Sequence, residues 1–361
     1  DPIVRTVSRG PGSLVGEIAA LSRTPLTATV VAEDEVLALE IRWQGLRDIM
    51  NRAPDLRQQV ESAYRLRLRE TFLKSTPWFR GLSSEAMEEV IRETVFSSYG
   101  EYDWQASYHK LGQVTSAARR LEEEPLIASQ GDYLNGLYLV ISGFVRVSEK
   151  INHGERTVAC LRENDQYGLD TLAHNWHHAT EAQPLRHTLR AIGHVDLLVV
   201  PTAVMEKYAL PRLSPAQLAE LGAGPQEAVA TDLFEFLVEK RLINGTAAMV
   251  IDLDRCVRCD DCVRACADTH GGNPRFVRQG PIHGALMVAN ACMHCTDPVC
   301  LIGCPTGAIQ RDRQQGQIVI NDETCIGCGT CASSCPYTNI QMVPVQTAKG
   351  EPIPHFQQPE K

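Results

Sequence analysis

Cysteine residues form the strongest chemical pattern in this chain. Of its 13 cysteines, 12 lie in the segment from Cys256 to Cys335 of a 361-residue sequence. They fall into three blocks, which are Cys256, Cys259, Cys262 and Cys266; Cys292, Cys295, Cys300 and Cys304; and Cys325, Cys328, Cys331 and Cys335. Such enrichment within one part of a long chain favours metal ligation over a disulfide framework.

The spacing within the blocks indicates which metal centre is expected. Iron–sulfur cubes need four soft thiolate ligands, and gaps of two residues allow one tight loop to present three of them. Pro305 and Pro336 follow the last cysteines of blocks two and three and redirect the chain there. This is the spacing of bacterial ferredoxins that hold [4Fe–4S] clusters. Structural zinc, which usually uses paired knuckles about 12–20 residues apart, and disulfides are the alternatives.

The region before the cysteines contains an internal repeat. The segments 16–32 and 168–191 are compared, and in them Pro25-Leu26, Thr29 and Ala32 match Pro184-Leu185, Thr188 and Ala191 in one register. An apolar strand is predicted after each copy, at 36–41 and at 195–200. Two copies of one supersecondary unit are the simplest interpretation.

Local signals predict how these units are built. Residues 130–147 predict a small antiparallel roll with tight turns, one of them at Ser142-Gly143. Apolar spacing predicts helices at 55–73, from Ser84 onward, and at 232–242.

Together these features resemble the cyclic nucleotide-binding domain family. The strand pair of that family is matched by Tyr138-Leu-Val-Ile-Ser-Gly143, and its phosphate cassette by Gly16, Glu17 and Ala19 of the first copy. The resemblance implies β-rolls in which a helix N-terminus and an arginine bind a cyclic phosphate. Gly16, Glu17 and Ala19 are therefore the candidate nucleotide contacts.

Both copies depart from the cassette pattern. The arginine position is Leu26 in the first copy and Leu185 in the second, where Leu169 also replaces the glutamate and His187 the alanine. Leucine cannot pair with a buried phosphate. We therefore expect rolls used for docking or regulation rather than for binding a cyclic nucleotide.

The cysteine segment, over residues 248–345, resembles the multi-cluster iron–sulfur subunits that accompany molybdopterin oxidoreductases such as dimethyl sulfoxide reductase. The four-residue gap and the run Cys292-Met-His-Cys-Thr-Asp-Pro-Val-Cys300 carry this resemblance. It implies ligands exchanged between blocks, with one cluster on Cys292, Cys295, Cys300 and Cys335 and another on Cys304, Cys325, Cys328 and Cys331. Two complete clusters are expected, and block one would serve a third or fourth if the natural chain continues.

Other side chains have weaker assignments. Arg255, Arg258, Arg264 and His294 could favour a reduced cluster through positive charge, or they could be solvated surface groups. The histidines at 174, 177 and 178 are expected in a polar loop rather than at a zinc site. Cys160 is expected to be a small buried apolar residue.

Composition limits the functional classes. The chain is 43% hydrophobic and 22% charged with a net charge of −9, so no nucleic-acid partner is expected. No apolar run reaches the roughly 18 residues of a membrane span, and a cytoplasmic location is expected. No catalytic motif is present. The predicted partner is a separate molybdopterin or flavin oxidoreductase, and the alternative is a ligand-sensing signalling protein with an iron–sulfur redox switch.

The predicted fold class is a multidomain α+β protein with two jelly-roll-like β-roll domains, flanking helices and a ferredoxin-like 4Fe–4S domain. The predicted boundaries are 1–74 for an N-terminally incomplete first roll, 75–210 for the second roll, 211–245 for a linker and helix, 246–345 for the 4Fe–4S domain and 346–361 for a tail.

Overall fold

The computed structural model describes residues 8–22, 28–41, 43–100, 121–152, 154–214, 217, 231–270, 272–296, 298–312 and 316–342. The α-helices are α1 Glu17–Ser22, α2 Trp43–Arg52, α3 Pro54–Ser75, α4 Ser84–Glu93, α5 Leu169–His177, α6 Thr202–Tyr208, α7 Thr231–Glu239, α8 Asp261–Thr269, α9 Val299–Gly303 and α10 Thr330–Ser334. The strands are β1 Val95–Tyr99, β2 Leu126–Ala128, β3 Gly136–Ile151, β4 Gly154–Leu161, β5 Gln166–Tyr167, β6 Thr188–Pro201, β7 Val250–Asp252, β8 Phe276–Val277, β9 Ile282–His283, β10 Leu286–Val288, β11 Asn290–Ala291, β12 Ile309–Arg311 and β13 Ile318–Ile320. Within the described ranges, no helix is both long and apolar enough to cross a bilayer.

The chain divides into two compact units. The first consists of residues 1–67, 294–335 and 340–361, and the second of residues 68–293 and 336–339. Block one therefore belongs to the second unit, and block three to the first. Block two begins in the second unit at Cys292 and continues in the first from Cys295.

A six-stranded antiparallel roll lies in the second unit. The described strands run in the order β1-β6-β3-β4, and β2 and β5 pair with β6 and β3. Long aliphatic runs such as Val195–Val200 supply β-branched and leucine side chains that suit a pleated, buried surface. Side chains of β3, β4 and β6 meet in one apolar core that includes Val145, Leu189 and Leu197. The prediction of a strand at 195–200 is confirmed.

The predicted turn at Ser142-Gly143 is wrong. These residues lie inside the continuous strand β3, where the register against β6 shifts on both sides of Ser142. Gly143 has a φ of +84°, and a Cβ on it would clash with the carbonyl oxygen of His194. The pair therefore forms a β-bulge that keeps one strand running instead of reversing it.

The three helices predicted from apolar periodicity are confirmed. The helix predicted at 55–73 is α3, and the one predicted from Ser84 is α4. The Ser83 hydroxyl accepts a hydrogen bond of 3.2 Å from the backbone N–H of Ala86 and caps α4. The predicted helix at 232–242 is α7 followed by a short 3-10 turn.

The strand predicted at 36–41 is not formed. Residues 28–41 are described and have no regular secondary structure, and the side chain of Leu37 is fully exposed at 102%. Within the described part of residues 8–94 there is no strand to pair with it. A strand needs neighbours for its backbone hydrogen bonds, so the apolar pattern alone does not produce one. The first roll stays a prediction.

The cysteine-containing parts of both units have little regular structure. The second unit has the ladders β7-β10-β9 and β11-β8, and the first has the β12-β13 hairpin. These strands are two or three residues long, and ladders of this length are marginal by themselves in water. Other contacts must therefore hold these loops, and the cysteine side chains are among the groups that could make them.

Candidate functional site

Five cysteines from blocks two and three gather in the first unit. Cys304 is buried in a small apolar cluster with Ile309 and Ile318, and Cys300, Cys325 and Cys331 pack against it. Cys328 is exposed, and it lies close enough to Cys304 for a charge on that sulfur to raise its pKa. The family resemblance assigns four of the five, all except Cys300, to one cluster.

The local backbone explains how one short loop presents three of these thiols. Gly327 and Gly329 have φ values of +65° and +77°. Left-handed backbone at two positions is tolerated best by glycine and curls the chain around a small volume. Gly329 then caps α10, which carries Cys331.

Hydrogen bonds at the sulfurs favour the thiolate form that binds metal. Burial raises the pKa of the Cys304 thiol, but bonds from the Ile309 backbone and from Thr306 lower it by more, so that the net pKa is below the ordinary cysteine value. The side chain and backbone of Thr330 lower the pKa of the Cys328 thiol, with Sγ 3.4 Å from the Thr330 hydroxyl. Burial raises the pKa of Cys331. Thiolates are the ligand form of cysteine.

The residues present therefore fit a [4Fe–4S] cluster. Four thiols converge, backbone N–H groups point at a sulfur, and apolar side chains cover one side, which are the features that hold and tune such a cluster. No two of the 13 cysteines form a disulfide. Within the described residues, no three His, Cys, Asp or Glu side chains are placed to hold a single metal ion.

The continuation of block two is fastened to the β12-β13 hairpin. His294 has a left-handed φ of +45°, and its Nδ1 accepts a 3.0 Å hydrogen bond from the Ile318 N–H. Arg311 donates to the carbonyl oxygens of Cys295 and Thr296, both at 2.7 Å.

Block one forms its own loop in the second unit. Arg258 and Asp260 have left-handed φ values of +61° and +60° and shape the loop before α8. Arg255 lies 3.7 Å from Asp252 with its side chain 89% exposed. Arg264 pairs with Asp261 on the same helix. Arg255 and Arg264 are thus solvent-side partners of nearby carboxylates.

Another arginine, Arg278, contacts the block-one loop, and no motif in the sequence predicts this contact. Arg278 donates from Nε and Nη2 to the Asp260 carboxylate at 2.5 and 3.3 Å, which lowers the pKa of Asp260. The Cys266 sulfur accepts a 3.2 Å hydrogen bond from the Arg275 N–H. Arg278 is 18 residues from Asp260, so only the fold brings them together.

The cassette of the second roll is filled with leucine. Leu169 and Leu185, at the glutamate and arginine positions, are only 1% and 2% exposed. The Leu134 side chain comes within 3.0 Å of the position that a Cβ on Gly168 would occupy. Apolar atoms of Leu134 therefore lie against the residue that begins this helix.

In the first cassette, the Glu17 carboxylate already accepts a hydrogen bond from a side chain of this protein. Gly16 has a φ of +88°, and the buried Glu17 accepts a 2.7 Å hydrogen bond from Arg67 of α3. Ala19 lies on α1, and Leu26 lies outside the described residues. Gly16, Glu17 and Ala19 stay predicted nucleotide contacts.

Helix α7 contacts both the roll and the segment from β7 to β10, which contains block one and is called the block-one segment. Its Glu235 accepts from Nη1 of the buried Arg146 at 3.0 Å, while Glu124 pairs with the rest of that guanidinium at 2.7 and 2.9 Å. Its Asp232 lies 3.2 Å from Nε2 of His283, whose ring is 5.1 Å from that of Phe236. Sequence analysis missed this bridge, because its partners are up to 89 residues apart.

Three other side chains have defined surroundings. The Tyr337 hydroxyl donates to the Arg241 carbonyl oxygen at 2.8 Å. Cys160 is half-buried in β4 rather than fully buried as predicted, and burial raises its pKa to about 12. The polar loop predicted for the histidines is wrong, because His174 and His177 lie on α5.

Two family models match parts of this chain. The 4Fe-4S dicluster domain model matches residues 284–349, and the cyclic nucleotide-binding domain model matches residues 118–210. One part of the chain is therefore similar to cyclic nucleotide-binding domains, and another part to 4Fe–4S dicluster domains.

Several known proteins are similar to part of the chain. A tetrathionate reductase subunit of Archaeoglobus fulgidus is 37% identical over 93 residues, covering 24% of this chain and 44% of that protein. The arsenate respiratory reductase iron-sulfur subunit ArrB of Shewanella sp. is 36% identical over 98 residues, 25% of this chain and 42% of that protein. Electron transport protein HydN of Escherichia coli is 33% identical over 105 residues, covering 26% of this chain and 59% of that protein. The chain spans about half the length of these relatives.

Parts of several solved structures are also similar to part of the chain. The regulatory domain of Toxoplasma gondii PKA with cAMP is 18% identical and covers 40% of this chain and 45% of that one, with a TM-score of 0.29. The sensor domain of the transcriptional regulator DNR from Pseudomonas aeruginosa is 16% identical and covers 42% and 87%, also with a TM-score of 0.29.

Proposed function

We propose that this chain transfers electrons through [4Fe–4S] clusters to or from a separate oxidoreductase. The observation that carries the proposal is the packing of Cys325 and Cys331 against the apolar cluster that contains Cys304, with the exposed Cys328 close to Cys304 and Cys331. The relatives named above support it, since two of them are reductase subunits and one is an electron transport protein.

The residues of this chain would bind the clusters and control their surroundings. Bound cubes would supply reversible one-electron storage. Two are proposed, with the ligand sets that the resemblance implies. The thiolates hold the iron, the Ile309 N–H offsets negative charge at Cys304, and Ile309 and Ile318 exclude water on the buried side.

The partner would contain the substrate site. The described residues show no constellation of catalytic groups, and the matched relatives include subunits of reductases. The proposed partner is a molybdopterin or flavin enzyme, and the proposed location is the cytoplasm. That compartment is reducing, so cysteine thiols stay available to bind metal there.

Electron transfer is tested directly with a dye. Anaerobic protein is reduced with dithionite, freed of excess reductant and mixed with oxidised methyl viologen, while visible absorbance is followed by stopped flow. In the wild-type protein we expect the reduced clusters to reduce the dye. In the reverse mixing, reduced dye should bleach the visible absorbance of the oxidised clusters. Cys304→Ser should lose about half of the electrons, because one of the two proposed clusters loses a ligand, and the matched control Cys160→Ser should keep them all. A wild-type protein that neither accepts nor donates electrons would contradict the proposal.

We propose that the roll docks the partner or regulates access to the clusters. Helix α7 supports this, because Glu235 and Asp232 connect the roll to the block-one segment. The leucine-filled cassette argues against a cyclic phosphate as the signal.

The same bridge favours a second candidate function, a ligand-sensing protein whose clusters act as a redox switch. Calorimetry with cyclic AMP and cyclic GMP separates the two. Micromolar binding that changes the reduction potential of a cluster, and that Glu235→Gln uncouples, would favour the switch. Absence of binding favours electron transfer with a docking roll.

A further inference from the structure

Arg311 is bound to the block-two loop in a way that the sequence does not indicate. It ends β12, and its Nη2 donates to the carbonyl oxygens of Cys295 and Thr296, both at 2.7 Å. Its Nη1 donates to the Gly316 carbonyl oxygen at 2.9 Å. One guanidinium thus joins Cys295 and the first residue of the four-residue gap of block two to the turn of the β12-β13 hairpin.

This geometry uses what distinguishes arginine from lysine. A guanidinium presents several donors in a rigid fork, whereas an ammonium is a compact point charge. The two carbonyl oxygens belong to adjacent residues, so a single planar group fixes the direction of the chain as it leaves Cys295. The Nδ1 of His294 holds the same loop from the neighbouring strand β13 through the Ile318 N–H at 3.0 Å.

The position of Arg311 also has an electrostatic consequence. Cys295 and Cys300 are proposed ligands, and four thiolates give a cluster a net negative charge that increases on reduction. A cation at this loop favours the more negative state and so raises the reduction potential. Arg255 provides a contrast, since it directly precedes Cys256 in sequence but is exposed to solvent.

We propose that Arg311 is a positioning residue, which holds the block-two loop around its cluster and raises the reduction potential of that cluster. This inference rests on the proposed electron-transfer function. It assigns a tuning role to a side chain that lies in the hairpin after block two rather than inside any cysteine block.

Two measurements on the full chain test the two parts of this role. Reduction potentials come from anaerobic titration followed by EPR, and loop integrity from the rate of iron release to a chelator. Arg311→Gln should lower one cluster's potential and release iron several-fold faster. Arg311→Lys keeps the charge but loses the fork, so it should release iron faster while its potential stays near that of the wild type. The control Arg255→Gln should change neither quantity.

The outcomes separate this inference from the function on which it rests. Wild-type protein without any reducible EPR signal would overturn both. Wild-type clusters together with an unchanged potential in Arg311→Gln would overturn the inference alone. If Arg311→Gln does not retain its clusters, the Arg311→Lys variant decides, and an iron-release rate equal to that of the wild type would then overturn the positioning role.

Discussion

The β-roll and the cysteine segment are stabilised in opposite ways. The roll has a six-stranded sheet whose core is aliphatic and aromatic, and leucines occupy the positions where its family binds an anion. The cysteine segment has two- and three-stranded ladders, and in its first-unit part Cys304 is itself a core residue. The roll has an apolar core with leucine at its cassette positions, whereas in the cysteine segment a predicted cluster ligand is itself part of the core.

This difference predicts which region stays folded without a cofactor. Hydrophobic burial stabilises the roll whatever occupies its cassette. A small segment with short strands gains folding free energy from metal binding. We therefore expect the two regions to respond differently to the same perturbation.

Iron removal should give the largest difference. Chelation under acidic, anaerobic conditions should unfold the segment around blocks two and three, while the roll stays folded because its core contains no ligand. Hydrogen exchange with mass spectrometry measures both regions in one sample. Fast exchange should appear around Cys304 and not in β3 or β6. Equal loss of protection in both regions would break the comparison.

Removing the buried guanidinium should have the next largest effect, and only in the roll. Arg146→Met leaves the Glu124 carboxylate buried without its partner, and such losses cost about 3–5 kcal/mol. Denaturant unfolding, monitored through the hydrogen exchange of β3 peptides, measures this loss of unfolding free energy. Adding Glu124→Gln should recover part of it. A roll that is unaffected by Arg146→Met would show that the ion pair does not stabilise it.

The bridge through α7 should contribute less. Glu235 is 46% exposed, so Glu235→Gln should lower the free energy of unfolding of the roll by at most about 1 kcal/mol. The informative readout is hydrogen exchange at His283, which should increase if α7 connects the two segments. The control Glu239→Gln, on the same helix, should leave exchange at His283 unchanged. A matching increase in the control would argue against a specific bridge.

The smallest effect should come from pH. Burial lowers the pKa of His187 below the ordinary value of about 6.5, and its Nδ1 lies 2.9 Å from the Tyr167 hydroxyl. The unfolded chain binds this proton more readily, so the roll should lose stability as the pH falls through about 6.5. Urea unfolding at about pH 7.5 and pH 5.5 measures the change. His187→Gln should remove part of this dependence, and an identical pH profile in the variant would exclude His187 as its source.

Local patterns predicted local features well. The cysteine spacing predicted which residues form the loops, because two-residue gaps constrain the backbone directly. The apolar run at 195–200 predicted part of β6, but the similar run at 36–41 forms no strand. Strand formation depends on a neighbour elsewhere in the chain, which the run itself does not encode.

Long-range contacts escaped prediction for the same reason. Arg311 reaches Cys295 across 16 residues, and Arg146 reaches Glu235 across 89. Nothing in the sequence around these arginines distinguishes them from surface charges. Ser142-Gly143 has the composition of a turn, but pairing with β6 makes it a bulge.

Metal analysis combined with EPR tests the proposed electron-transfer function most directly. Chain reconstituted under argon should contain about eight iron atoms and about eight acid-labile sulfides, and dithionite should produce the EPR signal of reduced [4Fe–4S] clusters. Stoichiometric zinc, with a colourless protein that dithionite does not change, would contradict electron transfer through iron–sulfur clusters.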